Sequence, residues 1–78
     1  MNLTQQQQTV LLALTTEWQS PRQISEQLSH ENGDLSTVNQ SLKELMREGL
    51  VQTNPLLFGL YRLTAQGVDT KEELDKDQ

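Results

Sequence analysis

Residues 20–67, SPRQISEQLSHENGDLSTVNQSLKELMREGLVQTNPLLFGLYRLTAQG, hold the pattern from which the rest of this 78-residue chain can be read. Ser20-Pro21-Arg22-Gln23 is a helix start. The Ser20 hydroxyl can accept from a backbone N–H two or three residues on, Pro21 suits the first helical position, and Gln23 completes a capping box. Ile24 and Leu28, four apart, share the inward face of that helix. Ser29 to Asp34, with Asn32-Gly33 at its centre, predicts a turn. From Leu35 the apolar pattern resumes with Val38, Leu42, Leu45 and Met46, spaced to form one buried stripe on a helix over 36–48 that Asp34 or Ser36 caps. Gly49 suits the left-handed position that ends a helix. Leu50-Val51-Gln52-Thr53 then reads as a strand and Asn54-Pro55 breaks it. Leu57 to Leu63 reads as the returning strand of a hairpin over 50–63, with Gly59 in a bulge or near the tip.

Upstream, Leu3, Val10, Leu11 and Leu14 recur at helical spacing and Thr4 can cap, so residues 5–16 read as a first helix whose Gln5–Gln8 run is a solvated turn. Thr15 to Gln19 suits a short extended link, with Trp18 in the core or packed on the hairpin. Downstream, Thr64 to Gly67 can cap or begin a last turn. Beyond Val68 the chain is polar, with Thr70 and Glu73 as a capping box and only Leu74 to bury. Residues 1–68 are therefore read as the domain and 69–78 as an acidic polar tail, frayed or disordered.

Bulk composition narrows the chemistry. Only 33% of positions are apolar, so the core is small and stability modest. There is no cysteine and a single histidine, His30, which leaves neither a disulfide framework nor a thiolate or imidazole metal site. No cofactor or metal is expected. Apolar runs stop at five residues, Val10 to Leu14, against the roughly 20 that span a bilayer, and Met1-Asn2-Leu3-Thr4 offers no basic leader. The expectation is a cytoplasmic protein with no membrane partner. His30 with Glu31 and Asp34 nearby reads as an exposed turn rather than a catalytic group, and no glycine-rich phosphate loop is present, so no enzyme is expected.

Charge argues partly against a nucleic-acid partner, because affinity for DNA comes mostly from Lys and Arg replacing condensed counterions, and the net charge here is −5. Residues 69–78 hold five acids against two lysines, a local −3 that leaves −2 for the rest. The domain proper is nearly neutral.

Ser20 to Leu28, Asp34-Leu35-Ser36-Thr37-Val38, Leu42-Lys43-Glu44-Leu45, Arg47-Glu48-Gly49-Leu50-Val51 and Tyr61-Arg62-Leu63-Thr64-Ala65-Gln66-Gly67 together resemble a winged helix-turn-helix domain of the MarR and PadR kind. The resemblance covers about residues 4–67 and is more specific for the fold than for a subfamily, since the L-x-x-L-x-x-x-G-L-[VI] helix exit and the Y-x-L-T-x-x-G wing return occur across many prokaryotic regulators. It implies an α+β fold of three helices plus a two- or three-stranded wing. It also implies that 36–48 is a recognition helix seated in the major groove of double-stranded DNA.

Opposite the apolar stripe lie Ser36, Thr37, Asn39, Gln40, Lys43, Glu44 and Arg47, rich in amides and hydroxyls. Carried over position by position, the resemblance makes Ser36, Thr37, Asn39, Gln40 and Lys43 the candidates for bases and phosphates, with Arg22, Arg47 and Arg62 completing the cationic set. Asn39 or Gln40 suits an adenine edge. The plainer reading of the same residues is a solvated helix face, and of Arg22 a free surface arginine. With four cations in the domain, about two to four phosphates would be neutralised, for a shallow salt slope of about −2 to −4.

The wing departs from the pattern. Residues 54–60 carry no charge and offer Leu56, Leu57, Phe58 and Leu60, where a DNA-contacting wing would carry Arg or Lys. Either those side chains pack beneath the wing, or they form an apolar patch of the sort that marks partner contact. Two functions follow: a small sequence-specific DNA-binding protein, most simply a transcriptional regulator, or a winged-helix protein-interaction module using 54–60. A homodimer would need the apolar wing or the first helix as its interface.

Overall fold

A computed structural model describes residues 2–28 and 33–76. Of the turn expected over Ser29 to Asp34, residues 29–32, with His30, lie outside the described residues, as do Met1, Asp77 and Gln78.

Three N-caps set the helices. α1 (Gln5–Ala13) begins with a full capping box, Thr4 Oγ1 accepting from the Gln7 backbone N–H at 3.1 Å while the Thr4 N–H donates to Gln7 Oε1 at 2.9 Å. α2 (Pro21–Glu26) repeats it with Ser20 and Gln23 at 3.2 and 2.8 Å. α3 (Leu35–Arg47) starts from Asp34, whose Oδ2 accepts from both the backbone N–H and the hydroxyl of Thr37. α1 is shorter than the 5–16 reading because Leu14 is extended, at φ −82° and ψ 154°.

Gly49, at φ +80°, turns the chain out of α3 and into β1 (Val51–Thr53), which pairs antiparallel with β2 (Tyr61–Leu63) in the register Val51 to Leu63, Gln52 to Arg62 and Thr53 to Tyr61. β2 is much shorter than the expected 57–63. The Asn54 side chain accounts for this: its Oδ1 accepts from the backbone N–H groups of Leu56 and Leu57 at 2.8 and 2.9 Å, which winds residues 55–59 into a loop. The Asn54 N–H donates to Leu60 O at 3.0 Å and closes that loop. The link of residues 15–19 covers the far edge of β2, through an isolated bridge between Gln19 and Tyr61 and a bond from Leu63 N to Thr15 O.

The tail expectation is corrected by the structure. Residues 65–76 form a fourth helix, α4 (Ala65–Lys76), which crosses the boundary drawn at 68 and packs against α1 and β2. Thr64 starts it, donating its hydroxyl to Gly49 O at 2.7 Å and accepting from Gly67 N at 3.0 Å. Gly67 is buried, and Val68 and Leu74 lie against the core. The Lys71 ammonium donates to Leu14 O at 2.6 Å, placing a cation on the carbonyl end of α1.

The core is Val10, Leu11 and Leu14 of the first helix and its cap, Ile24 of α2, Val38, Leu42 and Leu45 of α3, and Leu50, Val51 and Leu63 of the wing base. Leu28 packs at its margin. Leu35 and Met46 leave the predicted stripe and are exposed, because they flank it on the first and last turns of α3, while Ser41 takes a buried place on that helix. Among the described residues no helix is long and apolar enough to cross a membrane.

Candidate nucleic-acid interface

Burying Val38, Ser41, Leu42 and Leu45 against α1 and α2 fixes the rotation of α3 about its axis. Ser36, Gln40, Lys43 and Arg47, at i, i+4, i+7 and i+11, then form one exposed row along its outward side. Asn39 sits half-buried on one flank of that row, and Thr37 and Glu44 sit half-buried on the other. Thr37 gives its hydroxyl to the Asp34 cap.

The cations of the row are held in no salt bridge. Among the described residues the one ion pair joins Lys76 to Glu73 at 3.9 Å, so neither Lys43 nor Arg47 is held in a salt bridge. Arg22 is exposed on the first turn of α2. Arg62 stands apart: it is half-buried on β2, with its guanidinium 4.2 Å from the centroid of the Trp18 ring. Trp18 is thereby placed against the hairpin.

Glu44 carries a network that the chain pattern alone leaves hidden. Its Oε1 accepts from Gln7 Nε2 of α1 at 2.8 Å and its Oε2 from Gln40 Nε2 at 3.0 Å. These two bonds, with Arg47 one turn on, hold the Glu44 carboxyl below its ordinary range. The Gln40–Glu44 spacing was a local signal for one bond; the other joins residues 37 apart.

The wing presents the opposite chemistry. Phe58 and Leu56 are 105% and 90% exposed and Leu57 59%, while Leu60 is half-buried. A hollow of about 250 Å³ opens beside them, lined among others by Thr53, Pro55, Phe58 and Tyr61. Among the described residues no group of three or more His, Cys, Asp or Glu side chains is placed to hold a metal ion.

Among the described residues, four helices with a two-stranded antiparallel wing after the third define a winged helix-turn-helix. The chain is similar to the crystal structure of ZitR from Lactococcus lactis, described as a zinc-responsive MarR family member, with a TM-score of 0.72, 23% identity and coverage of 97% of this chain. It spans 54% of that protein's length, and at this identity the likeness carries the fold. No family model matches the sequence, and no curated protein matches it.

Proposed function

We propose that the chain is a small sequence-specific DNA-binding protein, acting in transcriptional regulation, with α3 as the helix that enters the major groove. The observation that carries the reading is the exposed row Ser36, Gln40, Lys43 and Arg47 on the second helix of a helix-turn-helix, with both cations free of ion pairs. Its helix exit and wing return, which resemble those of prokaryotic regulators, support the same reading.

Phosphate contact is sparse. With Arg62 engaged by Trp18, the salt slope per copy is about −2 to −3. Two copies on adjacent half-sites would double it, and a homodimer follows as part of the proposal. The test is an NMR titration of labelled protein with a short random duplex at low and then higher salt. Shifts centred on Ser36, Gln40, Lys43 and Arg47 that fade with salt are expected, and silence at millimolar duplex would overturn the reading.

The exposure of Leu56 and Phe58 favours a second reading, a protein-interaction module that uses residues 54–60. The Asn54 bonds hold the loop in shape while its apolar side chains face solvent, so the patch is built rather than slack.

A further inference from the structure

α3 carries one anion on the flank of its outward row, and it meets two amides, that of Gln7 oriented by the cap of α1 and that of Gln40 by the carboxylate itself. In the Thr4 capping box the backbone N–H donates to Gln7 Oε1, which leaves Gln7 Nε2 as the end of that amide facing α3. Nε2 donates to Glu44 Oε1 at 2.8 Å, and the second carboxylate oxygen accepts from Gln40 Nε2 at 3.0 Å. An ionised carboxylate has no proton to give, so it admits only the nitrogen end of each amide. The hydrogen bonds from Gln40 and Gln7, then the Arg47 charge, favour that ionised form.

The consequence falls on Gln40, which lies in the outward row. A free glutamine can turn its amide by half a revolution and offer either end to a base. Here the turned amide would set Oε1 against the Glu44 carboxylate, acceptor against acceptor. With one N–H committed to Glu44, Gln40 keeps Oε1 and its remaining N–H for a ligand. That pair fits adenine, whose major-groove edge offers the N6 amine as donor and N7 as acceptor. Guanine offers two acceptors, O6 and N7, and opposes the oxygen.

We propose that Glu44 is a positioning residue that sets the base preference of α3 by locking the Gln40 amide, selecting adenine over guanine at the base pair Gln40 meets. The inference rests on α3 being the DNA-reading helix.

Selection from a random duplex library by the wild-type protein, Gln40→Ala and Glu44→Gln tests it. The wild type is expected to favour adenine over guanine at one position by on the order of tenfold, and Gln40→Ala to lose that preference there alone. Glu44→Gln can donate as well as accept, which reopens the turn of Gln40. It should still bind, with the adenine preference relaxed at that position and the others intact. An unchanged preference in Glu44→Gln, or an equal loss at every position, overturns the inference while leaving the DNA reading standing. Failure of the wild type to select any sequence removes both. A second readout needs no DNA: the Gln40 side-chain NH2 should show restricted motion in nitrogen-15 relaxation and be released by Glu44→Gln. A wild-type Gln40 amide as mobile as that of exposed Gln5 overturns the lock directly.

Discussion

Gly67→Ala separates helix propensity from packing within one residue. Alanine is the better helix former, and in an open helix the change would stabilise by about 1 kcal/mol. At position 67 a Cβ would fall inside the van der Waals envelope of the Leu50 carbonyl oxygen, 3.0 Å from its carbonyl carbon and 3.2 Å from Leu63 Cδ2. The obstructing oxygen belongs to backbone that cannot swing aside, since Leu50 O also accepts from Thr64 N at 3.0 Å and Leu50 N donates to Leu45 O. Relief requires α4 to move away from the wing base, loosening Val68 and the Lys71 contact with Leu14. Overpacking of this kind reaches about 3 kcal/mol, so about 2 kcal/mol net remains against the variant. For a domain this size that lowers Tm by roughly 8–16 °C. Thermal unfolding followed by far-ultraviolet circular dichroism measures it, with Gly49→Ala alongside. That position has φ +80° and only an ordinary 3.6 Å contact to Gln66, so its cost is the left-handed backbone alone, about 1–2 kcal/mol. A Gly67→Ala protein with an unchanged or raised Tm would refute the packing of α4 on Leu50.

Lys71→Met should cost about 1 kcal/mol in urea titration, since it leaves Leu14 O at the end of α1 without its cationic donor. Glu44, with its folded pKa lowered from 4.5, binds its proton less readily in the native state than unfolded. Its contribution to stability is thus complete above pH about 4.5 and lost as pH falls through the lower folded value. The Tm difference between wild type and Glu44→Leu should accordingly shrink below pH 4.5, and a gap that is flat with pH would contradict the two amide bonds. Lys43→Glu reverses a cation held in no salt bridge in the middle of the outward row and should abolish duplex binding in fluorescence anisotropy while leaving the unfolding free energy within about 0.5 kcal/mol of wild type. Leu56→Ser with Phe58→Ser should leave folding intact, because both side chains are exposed; any self-association seen by sedimentation in the wild type should disappear with them.

What could be read in the chain was local. Ser20 with Gln23 was legible as a cap, and Asp34 as one of two candidates beside Ser36, because a cap joins a side chain to backbone three residues away, and the α3 stripe because its period is that of the helix itself. The length and docking of the fourth helix were illegible for the converse reason, although Thr64 to Gly67 read as a cap or the start of a last turn. Residues 69–76 offer mostly charge to any local test, and the helix is held by Gly67 under Leu50, by Val68 and Leu74 at the core margin, and by Lys71 reaching 57 residues back. The strand expected over 57–63 failed on one carboxamide, since nothing in the spacing says that Asn54 will spend its oxygen on Leu56 and Leu57. At the candidate interface the outward row was legible by periodicity, whereas the uses of Glu44, Thr37 and Arg62 depended on neighbours from other segments or on which cap formed.

The net charge of −5 is therefore a poor guide to what a ligand at α3 would meet. Four of the acids, Asp69, Glu72, Glu73 and Asp75, ride on α4, which packs on α1 and β2, while charge on exposed surfaces is screened within about 10 Å at 0.1 M salt. Glu44 stays ionised, but both of its oxygens are directed at amides. The outward row then presents two cations held in no salt bridge, one hydroxyl and one glutamine whose orientation is set by Glu44. On the proposed DNA reading such a face would be weak in phosphate contact and comparatively rich in hydrogen-bonding direction, and base contacts rather than phosphate contacts carry sequence information. A single copy would discriminate better than it holds on, and the added hold would have to come from a second copy or from a partner gripping the apolar wing.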